Sequence, residues 1–429
     1  MFRRIGTRIA VTAPALVAAA CEGEPGTPPE PPHRTWDSAG VTIVENPRPA
    51  SGSRLRWQIG AEPVLSIGSV GADDRFQFHR VDDALRLRDG RIVVANAGSH
   101  QLLVFDEAGE YLTAWGRKGE GPGEFAGEWG GNDLGWRLFW AEPWRADSIA
   151  VCHGTYSLGL ELFSVFDSRG TYARTVNLAR GHDRAARRPH DVCADVLPGG
   201  GILAIHRDSR PAHRVTRLNR PDLEFLVLDA DGSLRVSLGT HPGAETFNYW
   251  EDHYSSFWLD RPPFKQTVVW AAWGPLTIVS PTDHYEIRAY DADGSLARIV
   301  RRDHDARTPT QADLDAYRDR YLGRPVSDPE ISKLLTRVMD AVPLPASFPA
   351  FSAIEVDRLD YLWVREYNLP GEEDRALWTV FDPEGVAQGF IETPAGLEVF
   401  EIGEDYILGK VRDELRVEYV QVWALERSG

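Results

Sequence analysis

The sequence predicts an all-β protein, a six-bladed β-propeller of four-stranded antiparallel blades. A short unit ending in Asp-x-x-Gly recurs with steps of 61, 62, 62 and 91 residues, at Asp106, Asp167, Asp229, Asp291 and Asp382. A second hairpin signal precedes each unit, and a sixth copy of that signal, "EDYILGKV", occurs near the C-terminus. Periods of several tens of residues are typical of propellers, in which repeated sheets close around an axis. Six hairpin signals therefore predict six blades.

Each repeat predicts two β-hairpins. In "LLVFDEAGEYL" an alternating apolar run leads into Asp106, and Gly109 follows three residues later. The Asp side chain can accept hydrogen bonds at the start of a turn, and Gly supplies the positive φ that closes it. The innermost strands are predicted in "VDDALRL", "RLFWAEPW", "DVCADVL", "VVWAAW", "FSAIEV" and "GLEVFEI". Two hairpins in sequence give the four antiparallel strands of one blade.

The ring is predicted to close through the N-terminus. The sixth repeat stops at "VEYVQVWALERSG" before any outer strand, whereas "GVTIVEN" and "EPVLSIG" near the N-terminus have no blade of their own. If one of these N-terminal strands completes the sixth blade, the blade gains its missing fourth strand and that N-terminal strand gains a place in the fold. A closed ring also removes exposed sheet edges.

The long fourth step contains a predicted helical insertion between blades 4 and 5. Residues 308–342 lose the alternating pattern, and Thr308, Pro309 and Gln311 read as a helix start. Leu335, Val338 and Met339 fall on one face of a second helix. We expect this apolar stripe to pack on one face of the ring.

The N-terminus predicts export. Residues 1–20 contain three arginines followed by a short apolar run that ends in "AAA" before Cys21. This is the pattern of a lipoprotein-type signal peptide, in which Cys21 is lipidated, and residues 21–37 form a Pro-rich tether. An ordinary signal peptide with a chance cysteine is the alternative. The prediction is a propeller over residues 38–429 in the periplasm or at the cell surface, membrane-anchored through Cys21 alone.

Charge and cysteine content limit the partners. The formal net charge of −17 opposes binding to phosphate backbones, so we expect no nucleic acid partner. Beyond Cys21 the chain has Cys152 and Cys193, both in apolar strand-like runs. Buried free thiols are the favoured interpretation, and a disulfide stays open because sequence does not show proximity.

The loop "GRKGEGPGEF" (116–125) raises the question of a phosphate site. A Walker A loop needs Gly-Lys-Ser/Thr before a helix, whereas Gly123-Glu124-Phe125 has no helical pattern after it. The dinucleotide fingerprint also lacks its third Gly, and the glutamates repel an anion. The glycines are therefore predicted to let the backbone cross between blades, with Phe125 as a packing anchor.

Together with "DGRIVVAN…LLVFDEAGEYL" and "AGVTIVENPRP", this loop resembles the six-bladed, NHL-related propellers of bacterial exported lipoproteins. The resemblance covers roughly residues 38–427 apart from the insertion, and blade 1 carries its most specific part. It implies the propeller fold and export. It supplies no catalytic motif, so no residue roles follow from it.

Polar residues around the inner strands are the candidate ligand-binding residues of the channel. They are His79, Arg80, His190, Asp191, Gln266, Arg365 and Glu366. Such residues also serve as ordinary buried polar groups with structural partners.

Two functions follow as hypotheses. The favoured one is a non-catalytic, monomeric scaffold that binds an envelope protein, peptide or glycan without a cofactor. The alternative, implied by the resemblance because related six-bladed propellers can be such enzymes, is a metal-dependent lactonase- or lyase-like enzyme with a divalent cation such as calcium in the channel. It requires Glu, Asp, Asn or His side chains that converge on an open metal position.

Overall fold

The computed structural model describes residues 33–427, with gaps at 72, 120, 126–135, 146, 156–159, 179–190, 208–214, 252–255, 260, 323–328 and 371–375. The predicted signal peptide, Cys21 and residues 21–32 of the predicted tether lie outside the described residues. Within the described part, no helix has the length and apolar character that a membrane span requires.

Four short strands precede the first blade. They are β1 (Arg34–Ser38), β2 (Val41–Asn46), β3 (Gln58–Ile59) and β4 (Leu65–Ile67). β1 and β2 form an antiparallel hairpin, and a single 3₁₀ turn at Asp74–Phe76 leads into blade 1.

The first three blades are four-stranded antiparallel sheets. Blade 1 comprises β5 (Val81–Arg86), β6 (Ile92–Asn96), β7 (Gln101–Phe105) and β8 (Tyr111–Trp115). Blade 2 comprises β9 (Trp136–Trp144), β10 (Ser148–Thr155), β11 (Leu160–Asp167) and β12 (Tyr172–Asn177). Blade 3 comprises β13 (Asp191–Leu197), β14 (Gly201–Arg207), β16 (Asp222–Leu228) and β17 (Leu234–Pro242), and β15 (Arg217–Asn219) lies in the connection between its second and third strands.

The remaining strands follow in the same order. β18 (Thr246–Trp250) and β19 (Ser256–Leu259) pair with each other, and β18 pairs with β15, in a separate three-stranded sheet. Blade 4 comprises β20 (Val268–Trp273), β21 (Leu276–Pro281), β22 (Glu286–Tyr290) and β23 (Leu296–Arg302). Blade 5 comprises β24 (Phe351–Val356), β25 (Leu362–Glu366), β26 (Ala376–Phe381) and β27 (Ala387–Thr393). Blade 6 comprises β28 (Glu398–Ile402), β29 (Tyr406–Arg412) and β30 (Glu418–Glu426), and β3 and β4 both pair with β30 in the place of a fourth strand.

The Asp-x-x-Gly turns form as the sequence predicts. In blade 1 the Oδ1 atom of Asp106 accepts hydrogen bonds from the backbone N–H groups of Ala108 (2.9 Å) and Glu110 (2.8 Å). Gly109 closes the turn with φ of +83°, a left-handed conformation that favours glycine. Residues within the turn itself determine its conformation, and the repeat can therefore be recognised in the sequence.

Six hydrophobic clusters close the ring. Each lies between two neighbouring blades, because both faces of every blade carry apolar side chains. The junction of blades 6 and 1, which closes the circle, contains Leu408 and Val420 packed with Ile92 and Phe105. The other junctions are represented by Leu85 with Ile149, Phe163 with Ile202, Phe225 with Val279, Trp273 with Phe381, and Trp378 with Ile407. The six-bladed propeller is confirmed.

The N-terminal segment closes the ring and does more besides. β4, from "EPVLSIG", pairs antiparallel with β30 and completes blade 6 as predicted. β2, from "GVTIVEN", instead pairs in parallel with β23 and widens blade 4. Between them, the backbone N–H of Leu55 donates to the Phe390 carbonyl of blade 5 (2.8 Å). Residues 34–67, which we call the outer belt, therefore contact the outer edges of blades 4, 5 and 6.

The predicted insertion consists of α1 (Gln311–Leu322) and α2 (Pro329–Ala341). The helix start differs from the predicted Thr308 because Thr310 caps α1: its N–H and hydroxyl donate to the Asp313 carboxylate at 2.8 and 2.7 Å. Val338 and Met339 of α2 pack against Phe247 and Leu259 of the three-stranded sheet, so the two insertions share one small core.

The strand directions define two faces of the ring. The turn face carries the connections from first to second and from third to fourth strand of each blade. The crossover face carries the second-to-third connections and the links between blades. Both helices and the three-stranded sheet belong to crossover-face connections. The turn face receives no insertion from the described residues.

Cys152 of β10 and Cys193 of β13 are joined by a disulfide, with their Cα atoms 6.3 Å apart. The favoured interpretation of two free thiols is therefore wrong. The sequence could not show this, because 41 residues separate the cysteines and only the packing of blade 2 on blade 3 brings them together.

The glycine loop crosses between blades 1 and 2 as predicted. Phe125 is 2% exposed and its ring lies 5.9 Å from the ring of Phe166 in blade 2. Gly116 has φ of +73°, and a Cβ there would lie 2.3 Å from the Phe125 ring. Close approach of backbone and ring therefore requires glycine at this position.

Candidate functional site

Five of the six innermost strands direct a carboxyl group toward the channel. Four of these acids occupy equivalent positions near the turn-face ends of their strands, because each pairs with the residue that follows a buried Ile or Leu in the second strand of its blade. They are Glu142, Asp195, Glu355 and Glu401. Asp83 pairs with Ala95, two residues farther from the turn. We call these five residues the carboxyl ring. In blade 4, β20 reads VVWAAW and contributes no acid.

Burial raises the pKa values of four acids of the carboxyl ring, Asp83, Glu142, Asp195 and Glu355. Desolvation raises the pKa of Asp83 to about 8 and that of Glu355 to about 8, with the neighbouring acids adding to both. It raises the pKa of Asp195 to about 7. The pKa of Glu142 is also raised well above its usual range, first by burial and then by Asp83. These four acids therefore hold protons near neutral pH more readily than exposed carboxyl groups do.

Three members of the carboxyl ring connect neighbouring blades. Asp83 Oδ2 accepts the backbone N–H of Ala141 in blade 2 (2.9 Å), and Glu401 Oε2 accepts that of Arg86 in blade 1 (2.8 Å). Asp195 accepts the backbone N–H of Ala272 in blade 4. Among the described residues, Glu142 and Glu355 make no hydrogen bond through their carboxyl groups. The carboxyl groups of these two acids are therefore available to other partners in the channel.

A cavity of about 810 Å³ opens at the turn-face mouth of this channel. The turns of blades 1, 2 and 3 form most of its wall, and Ala272 of blade 4 and Arg358 of blade 5 complete it. Small-molecule sites have volumes of roughly 300–1,000 Å³. The cavity therefore has the size of a site for a metabolite.

Four arginines line this cavity, Arg86, Arg88, Arg145 and Arg358, against two aspartates, Asp89 and Asp147. Asp89 is engaged by Arg91 outside the cavity at 2.7 Å. The contact between Arg88 and Asp147 is 3.9 Å long and both side chains are more than 70% exposed, so it contributes little. The mouth is therefore cationic in a protein whose net charge is −17.

The described residues of the predicted channel set lie on the crossover face, at the other end of the ring. His79 is exposed, and Arg80, with φ of +59°, precedes β5. Asp191 begins β13, with its side chain outside the described set, and His190 lies outside the described residues altogether. Neither His79 nor Arg80 lines the cavity at the channel mouth.

The other three predicted residues also precede β20 or end β25 on the crossover face. Gln266 is 5% exposed: its backbone N–H donates to Glu245 (2.8 Å), and its side chain contacts Ser347 and Thr282. Glu366 accepts from Arg302 at 2.7 and 3.0 Å, and its neighbour Arg365 is partly exposed. Their role in ligand binding stays a prediction.

The carboxyl ring and the arginines were missed at the sequence level. A signal existed, because five of the six predicted inner strands contain an acid shortly before the turn, as in "VDDALRL" and "FSAIEV". Arg86 and Arg88 flank the same turn in blade 1. Only the strand direction in the ring shows that these ends converge.

One set of possible metal ligands lies within 4.8 Å in the part of the chain that the structure describes: Cys152, Glu161 and Cys193. The two sulfurs are bonded to each other and are not thiolates, so this set does not fit zinc. The channel cation stays a prediction.

Comparisons with known proteins agree with this architecture. A family model described as "6-bladed beta-propeller" matches residues 72–127, which span blade 1 and the glycine loop. A putative exported protein from Bacteroides fragilis is similar in structure over 90% of this chain and 100% of its own, with 12% identity and a TM-score of 0.45. A protein from Bacteroides vulgatus is similar over 87% and 99%, with 10% identity and a TM-score of 0.47.

An enzyme is also among the similar structures. Virginiamycin B lyase from Staphylococcus aureus, in a catalytically inactive form with quinupristin, covers 86% of this chain and 98% of its own, at 8% identity and a TM-score of 0.37. No curated protein matches the sequence. The chain is a six-bladed β-propeller, and the predicted resemblance to that class is confirmed.

Proposed function

We propose that this protein is an exported, lipid-anchored propeller that binds a ligand at the turn-face mouth of its channel and does not transform it. The cavity of about 810 Å³, built by the turns of three blades, is the observation that carries the proposal. A closed ring holds these turns rigidly, and preorganised sites lose less entropy on binding. The envelope ligand is a small molecule in this proposal, whereas a protein, peptide or glycan partner is an outcome of the test.

The disulfide between Cys152 and Cys193 supports export, because such bonds persist in oxidising compartments and are rare in the cytosol. The arginine-rich start and Cys21 support lipid anchoring. Fractionation of cells that express the parent chain and Cys21→Ser, with palmitate labelling, tests both. We expect the labelled parent in the membrane fraction and the unlabelled variant outside it. Label on the variant would contradict the lipid anchor at Cys21. Both chains in the cytosol would contradict export.

Binding is tested by a thermal-shift screen of small molecules, peptides and glycans against the purified propeller. Ser168→Trp places a large ring in the cavity, and Ala173→Trp on the outer strand β12 is the matched control. A ligand whose stabilisation disappears with the first change and persists with the second is expected. Ligands that bind both variants equally would place the binding surface elsewhere.

The carboxyl ring favours one second candidate, a channel cation that serves an enzyme. Glu142 and Glu355 make no hydrogen bond among the described residues, and a divalent cation would replace the protons that these buried acids hold. Elemental analysis and calcium titration monitored by thermal unfolding test it. Bound metal, or a stabilisation by calcium that is lost in Glu142→Gln, supports this candidate. If neither bound metal nor stabilisation is observed, the candidate is excluded.

A further inference from the structure

The arginines of the cavity differ in how far their charge is compensated. Arg358 donates to Glu401 at 2.5 Å, and Arg88 is opposite Asp147. Arg86 and Arg145 have no carboxylate partner among the described residues. Two uncompensated cations at one mouth of an acidic protein mark a site for negative charge.

Arg86 is held in place through its backbone and its ring contact. Its backbone N–H donates to Glu401 Oε2 (2.8 Å), and its carbonyl accepts from Arg358 Nη2 (3.1 Å). Its guanidinium lies over the Tyr406 ring at 4.8 Å, a cation–π contact that needs no N–H hydrogen bond. In the described part of the chain, no hydrogen bond uses the N–H donors of that guanidinium. Five donors are thus oriented and unused.

Arg145 is held from the opposite side of the cavity. Its Nη2 donates to the carbonyls of Gly199 and Gly200, each at 3.1 Å, and its guanidinium lies 5.2 Å from the Trp144 ring. A Cβ at Gly200 would lie 1.7 Å from Arg145 Nε, so glycine is needed for this placement. Neutral carbonyls position the cation and leave its charge uncompensated.

We infer that the cavity binds a small molecule through a carboxylate or phosphate group, which Arg86 and Arg145 contact and Arg88 attracts. This inference rests on the proposed function of the cavity. A guanidinium edge matches the two oxygens of either anion, and such charge-assisted bonds are short and strong. Arg358 is a positioning residue, because it fixes the carbonyl of Arg86 and neutralises Glu401.

The rest of the ligand extends toward the carboxyl ring. Glu142 directly precedes Pro143, which lines the cavity, and its carboxyl group has no hydrogen-bond partner within the described residues. A hydroxyl or amino group of the ligand is the matching chemistry for a carboxyl group. A metabolite with an acidic group at one end and hydroxyl or amino groups at the other fits both parts, whereas a nucleic acid is opposed by the net charge of −17.

The test is calorimetric titration with inorganic phosphate, glucose 6-phosphate and L-glutamate, and with glucose as the neutral control. At least one anionic probe is expected to bind, more weakly as salt is added, while glucose does not. Arg86→Gln should weaken that binding about tenfold or more, since it removes one charge-assisted contact. Arg337→Gln on α2, at the crossover face, should leave it unchanged. Phosphate against glutamate tells which anion is recognised.

Arg86→Gln removes no side-chain hydrogen bond but loses the cation–π contact with Tyr406, so we expect only a small fall in its unfolding temperature. Arg88→Gln is a second variant, whose exposed side chain does not affect folding. Equal affinity of the parent and both variants for every anionic probe would overturn the inference. Binding of glucose in preference to the anionic probes would also overturn the inference. If Ser168→Trp abolished that glucose binding, the proposed function of the cavity would still stand. Absence of any ligand in both the titrations and the wider screen would overturn the two together.

Discussion

The junction of blades 4 and 5 and the mouth of the channel both contain charged groups, but they treat them differently. At the junction, the fully buried side chain of Arg302 lies against Glu366, and Asn46 of the outer belt makes three hydrogen bonds. At the mouth, Arg86 and Arg145 have no counter-charge and Glu142 has no hydrogen bond among the described residues. Paired polar groups hold a structure together, whereas unpaired ones in a cavity await a ligand.

The largest effect is expected from Glu366→Ala. The Arg302 side chain is 0% exposed, and the change leaves its charge buried without a carboxylate partner. We expect the free energy of unfolding in urea to fall by about 3–5 kcal/mol. Arg302→Met with Glu366→Leu should lose far less. If the free energy of unfolding fell by less than about 1 kcal/mol and ligand binding were lost, Glu366 would be a ligand-binding residue and not a structural one.

Asn46→Ala should have the next largest effect. The Nδ2 atom of Asn46 donates to the carbonyls of Arg301 and Gly385, both at 3.0 Å, and its Oδ1 accepts from Ala387 N (2.8 Å). Buried backbone groups of blades 4 and 5 lose these partners, at a cost of about 1–3 kcal/mol by chemical denaturation. Ser38→Ala on the exposed strand β1 is the control. Equal stability of the two variants would show that the outer belt does not hold the blades.

At the mouth, stability should depend on pH through the carboxyl ring. The folded pKa values of about 8 for Asp83 and Glu355 lie above the usual range, so the folded state keeps protons that the unfolded state has released. The melting temperature should therefore fall as pH rises from about 5 to 8.

Glu355→Gln should reduce this slope, and the parent-minus-variant difference is the quantity to compare. His153 acts in the opposite direction below about pH 6.5, because burial lowers its pKa to about 3. It is common to both chains and cancels in the difference. A slope identical in the two chains would mean that Glu355 titrates normally.

The smallest effect is expected from Arg88→Gln. Its contact with Asp147 joins side chains that are 84% and 75% exposed, so the free energy of unfolding should change by less than about 0.5 kcal/mol. Calorimetric unfolding checks this. A larger loss would show that the mouth arginines serve the fold and would weaken the contrast with the blade junction.

The sequence predicted the fold better than the site. Asp106 and Gly109 specify their turn within a few residues, so the repeat, the blade number and the insertion were legible. The predicted candidates lie at the crossover-face ends of first and second strands, where Gln266 and Glu366 have protein partners. Arg86 and Glu142 sit at the opposite ends, next to turns whose sequence pattern indicates only a hairpin.

By itself, then, the sequence determined the blades, because hairpins depend on local alternation and on turn residues that act over four or five positions. The tertiary structure alone decided that β2 joins blade 4, that Cys152 meets Cys193, and that arginines from separate turns share one cavity. Each of these relations joins positions tens or hundreds of residues apart. Such contacts are fixed by how the blades pack around the ring, which no local pattern records.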